Sequence, residues 1–316
     1  MDTRAFFIKV ESGPELGLRA WLPAAAPRAL LLIIHGMSEH GGRYARFAAE
    51  AVAAGHAVYA LDLPGHGRTA RAPDERGHFA SEDGWNLALQ CIQAADQAVR
   101  ERHPGRPLFL FGHSMGSFLL QHYLVQAGGH LAGAILSATT GDLGPLRRVA
   151  LTLLRAEQLW LGARHRSRLA EQLTFGEFNR KVKVRGQPSR TPFDWLSRDP
   201  AEVDRYLADP CCGFRCSVSL WISLLEACGQ LLDRERLRRL PARLPVLLIA
   251  GEADPVCQGS RGPRILQRAY HQAGLGDVSA RFYPGARHEL LNETCREQVT
   301  RDLLDWLASR SGTGSP

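Results

Sequence analysis

Apolar residues along the chain fall into two recurring patterns: short continuous runs, and stripes at helical spacing. The runs predict strands over Phe6–Val10, Leu18–Leu22, Leu30–Ile34, Ala57–Leu61, Leu108–Phe111, Gly133–Ser137, Val246–Ile249 and Val278–Tyr283. The third and seventh are apolar throughout, as expected of strands covered on both faces of a parallel sheet. The stripes predict helices over Tyr44–Ala54, Asp83–His103, Met115–Gln126, Pro263–Gln272 and Glu293–Ser309. In the second of these Trp85, Leu89, Ile92 and Val99 share one face, and His103-Pro104-Gly105 stops the helix. Strands alternating with helices predict a doubly wound α/β sheet.

The alternation breaks once. Residues 141–243 offer helical stripes and Pro/Gly loops but no convincing core strand. Leu146, Val149, Ala150, Leu153 and Leu154 make one stripe, and Val218 to Leu232 makes another apolar helix. The pattern predicts a core of residues 1–140 and 244–316 with a helical lid, 141–243, inserted between strands six and seven. The tail Ser309–Pro316 reads as disordered.

Charge sharpens that division. The 316-residue chain has a net charge of +7, but residues 141–243 carry 19 Lys/Arg against 12 Asp/Glu, and the remainder is balanced at 20 against 20. All the excess positive charge therefore lies in the insertion, most densely over Arg180–Arg190. Such a segment attracts anionic surfaces, or is simply a solvated face. Apolar residues at 45% and charged residues at 22% describe a globular chain and exclude a disordered or collagen-like one. No apolar run approaches the roughly 18 residues of a membrane span, and no signal peptide precedes the first strand. The expected location is cytoplasmic, with peripheral membrane contact allowed. Seven cysteines without a C-x-x-C suggest reduced, mostly buried thiols. His288-Glu289-Leu290-Leu291-Asn292 lacks the second His of a zincin motif, so no metal site is expected. No nucleic-acid motif is present.

The candidate chemistry sits at strand ends. Gly112-His113-Ser114-Met115-Gly116 is a G-x-S-x-G, weak as a string but placed between a predicted strand and a predicted helix. Small residues let so sharp a turn close, and the helix N-terminus supplies unpaired N–H groups. A serine hydroxyl needs a base to become a nucleophile, and in this architecture the chain order is Ser, acid, His. Asp254 follows the seventh strand and His288 the eighth, both at C-terminal strand ends where open α/β sheets place their sites. Glu252 is the competing acid. The developing oxyanion needs donors, and the backbone N–H groups of Met37 and Met115 are the candidates. His35 reads chiefly as a residue that shapes the loop after the third strand. It is kept, with Leu146, Val149, Leu153, Trp160 and Trp221, as a candidate substrate-binding residue.

Taken together, the chain resembles the monoacylglycerol lipase / lysophospholipase branch of the α/β-hydrolase superfamily. The resemblance runs from about Phe6 to Trp306. It rests on His35-Gly36, Glu39-His40, Arg43-Tyr44, Asp62-Leu63-Pro64-Gly65-His66-Gly67, Gly112–Gly116, Gly251–Val256 and Gly285–Glu293. In the insertion, 190–199 and 209–214 resemble lid segments of bacterial relatives. The resemblance implies an eight-stranded, mostly parallel sheet flanked by helices, a helical lid, hydrolysis of monoacylglycerol or lysophospholipid esters, and no cofactor. Carried onto this chain, it makes Ser114 the nucleophile, Asp254 the acid, His288 the base, and Met37 and Met115 the oxyanion donors. A short-chain carboxylesterase or thioesterase is the alternative, and a non-catalytic ligand receptor on the same fold a more distant one. A dehalogenase or epoxide hydrolase would need Asp at position 114.

Overall fold

The computed structural model describes residues 1–11, 13–141, 144, 146–182 and 189–311. Eight strands form one sheet: β1 (Asp2–Lys9), β2 (Glu15–Leu22), β3 (Leu30–Ile34), β4 (Ala57–Leu61), β5 (Leu108–His113), β6 (Gly133–Ser137), β7 (Val246–Gly251) and β8 (Val278–Tyr283). Their order is β1-β2-β4-β3-β5-β6-β7-β8. β2 runs antiparallel to both its neighbours, and every pair from β4 to β8 is parallel. The five central strands β3 to β7 are buried along their whole length. That burial is why they read as continuous apolar runs.

The covering helices are α1 (Ala45–Ala53), α2 (Gly84–Arg102) and α3 (Met115–Ala127), then α10 (Arg261–Gln272) and α11 (Arg296–Ser311) near the C-terminus. α1 and α11 bury Phe47, Ala48, Leu303 and Trp306 on one face of the sheet. α2, α3 and α10 bury Ile92, Leu119 and Leu266 on the other. Between β6 and β7 the chain makes α4 (Leu146–Leu161), α5 (Arg168–Glu171), a π turn (Gln172–Gly176), α6 (Glu177–Val182), α7 (Pro200–Ala208), α8 (Val218–Cys228) and α9 (Arg234–Leu237). The described part of this insertion holds a single isolated bridge, Arg166 to Ser217.

Two expectations need correction. β1 starts at Asp2, four residues before Phe6. It is an edge strand whose first half, residues 2–5, is exposed; Phe6 and Ile8 in the second half are partly buried against the core, so the apolar pattern marks that half alone. The tail is helical as far as Ser311, where the Ser311 hydroxyl donates to the Leu307 carbonyl at 2.7 Å; residues 312–316 lie outside the described residues. So do 183–188, the centre of the basic stretch Arg180–Arg190. Among the described residues no helix is long and apolar enough to cross a membrane.

Candidate active site

Ser114 sits between β5 and α3 with φ +52° and ψ −121°. A non-glycine residue held there is strained, at about 1–3 kcal/mol, and the turn persists because its surroundings leave no alternative. A Cβ on Gly116 would lie 2.2 Å from the Ile34 carbonyl oxygen, and one on Gly112 would lie 2.6 Å from the Gly116 carbonyl oxygen. Both glycines of G-x-S-x-G are therefore demanded by backbone approach. The Ser114 N–H donates to the Ser137 carbonyl at 3.0 Å, which ties the turn to β6.

The three strand-end residues meet. The Ser114 hydroxyl lies 2.9 Å from His288 Nε2, and His288 Nδ1 lies 2.9 Å from Asp254 Oδ2. A carboxylate only accepts, so the proton of the neutral imidazole belongs on Nδ1 and Nε2 is free to accept the serine proton. Asp254 and His288 are buried. Burial pushes the Asp254 carboxyl up. The His288 imidazole, the Cys257 thiol and the Val256 N–H outweigh it and hold Asp254 below the usual carboxylate range. The Cys257 thiol donates to Oδ2 at 3.0 Å and the Val256 N–H to Oδ1 at 2.9 Å. Glu252, the competing acid, is exposed.

The imidazole is flanked by two rings. His113 packs on it with centroids 4.9 Å apart, and Trp195 with centroids 4.8 Å apart. Burial and the neighbouring His288 push His113 down to about 4, so it is neutral at pH 7. Beside these groups runs the loop after β3. The N–H of Met115 is the first of α3 and so has no intrahelical partner, and among the described residues neither it nor the Met37 N–H is given to a protein acceptor.

His35 is fully buried with both ring nitrogens engaged. Nε2 accepts from the Leu63 N–H at 3.0 Å, and Nδ1 donates to the Gly36 carbonyl at 2.7 Å. This is a loop-shaping role, and the ring is not free to meet a ligand. Leu146, Val149, Leu153 and Trp221 line a groove of about 460 Å³ with Leu169, Leu173, Phe178 and Val256. Trp160 is not among its lining residues and is 87% exposed. From this groove Phe178 contacts Trp195, with centroids 5.4 Å apart, so one ring, Trp195, stands between its wall and His288. Sequence reasoning gave no role to Trp195, His113 or Cys257. Trp195 lay inside a quoted lid segment, and His113 and Cys257 lay next to or three residues from predicted site residues.

One cluster of ligand types lies apart. His40, Asp209 and Cys212 bring their ligand atoms within 4.8 Å of one another. His40 Nε2 already donates to Asp209 Oδ2 at 2.9 Å, and burial pushes the Cys212 thiol up. The group is a polar tie between the loop after β3 and the insertion.

A mostly parallel eight-stranded sheet with a strand-turn-helix serine, and acid and histidine at later strand ends, defines an α/β-hydrolase. Residues 25–295 match the family model described as serine aminopeptidase, S33, and the chain belongs to that family. It is 29% identical to the monoglyceride lipase of Homo sapiens over 96% of this chain and 91% of that one. It is 27% identical to the monoacylglycerol lipase of Mycolicibacterium smegmatis, covering 94% of each. Among solved structures it is similar to a thermostable carboxyl esterase from Bacillus coagulans, at 26% identity and a TM-score of 0.88, covering 98% of this chain and 99% of that one. The chain falls in the monoacylglycerol lipase branch of the superfamily and is a lipid-ester, carboxylic ester hydrolase.

Proposed function

We propose that the protein hydrolyses the ester of single-chain lipids, monoacylglycerols or lysophospholipids, through Ser114, His288 and Asp254. The observation that carries this reading is the pair of 2.9 Å contacts that run from the Ser114 hydroxyl through His288 to Asp254. His288 takes the serine proton as Oγ attacks the ester carbonyl. The N–H groups of Met37 and Met115 receive the oxyanion. His288 then protonates the departing alcohol, and water repeats the sequence on the acyl-enzyme while Asp254 holds the imidazole and stabilises its charged form. The apolar groove supports a long acyl chain over a short one, and the names of the relatives support a monoacylglycerol. No step calls for a cofactor.

The insertion, residues 141–243, is the lid in this reading. Leu146, Val149, Leu159, Trp160 and Leu161 on α4 are each more than half exposed. Arg148, Arg168 and Lys181 nearby have no ion-pair partner among the described residues. An apolar face fringed by cations suits the surface of an anionic bilayer, where Trp160 would sit at the interface. Binding to phosphatidylglycerol vesicles should fall with added salt and with Trp160→Ala; equal binding to neutral vesicles would remove the electrostatic part.

Labelling with a fluorophosphonate, read by intact mass and peptide mapping, tests the chemistry. One adduct on Ser114, absent in Ser114→Ala, is expected. A label that persists in the variant overturns the assignment.

A further inference from the structure

Three charged side chains are buried behind the reactive serine, and the chemistry described so far does not use them. Glu39, Arg43 and Glu289 are each about a tenth exposed or less. Arg43 Nη1 and Nη2 clamp the Glu289 carboxylate at 2.5 and 2.7 Å, and Nη1 also reaches Glu39 Oε2 at 3.1 Å. Burying such ions is expensive, and apolar side chains of similar size commonly serve stability as well or better. A buried ionic cluster at a site therefore calls for a positional explanation.

Its contacts supply one. The free oxygen of Glu39, Oε1, accepts the Gly36 N–H at 2.6 Å and the Tyr44 hydroxyl at 3.0 Å. Gly36 is the residue before Met37, and a Cβ on it would lie 3.2 Å from Ser114 Cβ and 2.9 Å from Glu39 Oε1. The carboxylate thus grips the peptide that leads directly into one oxyanion donor. The other end of the cluster, Glu289, is the neighbour of His288. Arg43 joins the two, so one guanidinium fixes the oxyanion loop relative to the base.

We propose that Glu39 is a positioning residue for the oxyanion loop, acting through its bond to Gly36, with Arg43 and Glu289 tying that loop to the histidine loop. The proposal rests on the reading of Met37 as an oxyanion donor. It differs from a merely electrostatic role, in which the Glu39 carboxylate only balances Arg43, and the two make opposite predictions for two conservative variants. Glu39→Gln keeps an acceptor at the right reach and loses the charge. Glu39→Asp keeps the charge and withdraws the acceptor by one methylene.

The experiment compares these variants on a p-nitrophenyl ester and on the matching thionoester, whose sulfur accepts N–H bonds poorly and so draws little from the oxyanion donors. Since one oxyanion donor is worth about 10²–10³ in kcat, Glu39→Asp should lose about 30-fold in kcat on the oxygen ester with KM within about twofold, and much less on the thionoester. Glu39→Gln should stay within about fivefold of the wild type on both. Glu39→Asp active and Glu39→Gln impaired would overturn the proposal in favour of charge balance. Equal losses on both esters would overturn it in favour of a general structural role. The underlying reading has its own control: wild-type turnover must favour the oxygen ester and vanish in Ser114→Ala. If that fails, the reading of the site fails, whatever Glu39 does.

Discussion

Trp195, from the inserted segment, packs its indole on the His288 imidazole with ring centroids 4.8 Å apart. The backbone follows the rings: the His288 N–H donates to the Trp195 carbonyl at 3.4 Å and the Glu289 N–H to the Leu196 carbonyl at 2.8 Å. The loop that carries His288 is therefore held from outside the sheet. Trp195→Ala should lower kcat by about tenfold or more, because a misplacement of about 1 Å at a reacting group can cost about 100-fold. It should also cost stability, at about 3–5 kcal/mol for a large buried ring. Trp195→Phe should be far milder, since the indole N–H is buried without a partner. Steady-state kinetics and denaturant titration of both variants check this. Equal activity for Ala and wild type would make the contact incidental.

Asp254 fixes the tautomer of His288. Asp254→Asn presents an amide that can turn its NH₂ to Nδ1, placing the ring proton on Nε2 where it cannot accept from Ser114. The expected loss is about 10⁴ in kcat with little change in KM. A variant within tenfold of wild type would point to another acid.

Gly116 has no room for a side chain, as its Cβ would lie 2.2 and 2.4 Å from the carbonyl oxygens of Ile34 and His35. Those are backbone atoms of β3 and its loop and cannot swing aside. Gly116→Ala should therefore displace the serine turn or the oxyanion loop, abolishing fluorophosphonate labelling even in the fraction that folds. Labelling at the wild-type rate would show that the turn tolerates what the geometry forbids.

Acid should destabilise the fold before any carboxylate titrates. Burial pushes His66 down to about 3, and burial with the nearby His288 pushes His113 down to about 4. In the unfolded chain each titrates near 6.5, so below that pH the unfolded state takes up protons that the folded state refuses. Stability is whole above about pH 6.5 and falls toward pH 4, by about 2 kcal/mol per histidine at pH 5. Glu39 acts in a lower window. Burial raises its carboxyl, but His113, Arg43 and the Gly36 N–H bring it down to about 2, so its contribution is present above its ordinary range and lost as pH falls toward 2. Urea midpoints at pH 7.5, 6.5 and 5 test the histidine window. A midpoint unchanged between 6.5 and 5 would contradict it.

The central strands were readable because burial on both faces leaves apolar runs, and β3, β4, β6 and β8 have the bounds the pattern predicts. The place of Ser114, Asp254 and His288 at strand ends was readable because the same pattern marks those ends. β1 was only half readable, since only Phe6 and Ile8 in its second half pack on the core while residues 2–5 are exposed. Trp195 and Glu39 escaped for a different reason. Trp195 makes its contacts across long stretches of chain, 93 residues in the case of the Arg287 side chain and the Asp194 carbonyl beside it, which no local pattern records; Glu39 bonds its near neighbours Gly36 and Tyr44, and only its tie through Arg43 to Glu289 spans the chain. Trp160 shows the converse. Its spacing fits the apolar stripe of α4, yet it lies beyond the groove, because a stripe says which face a residue takes and not what covers it.

The most direct test is hydrolysis of one matched panel at a single pH: p-nitrophenyl esters of graded length, 1-monoacylglycerol, lysophosphatidylcholine and a triacylglycerol, with Ser114→Ala as the blank. The account predicts Ser114-dependent turnover of monoacylglycerol or lysophospholipid well above that of the short esters and the triacylglycerol. Turnover confined to the short esters would contradict the single-chain lipid reading while leaving the serine chemistry in place.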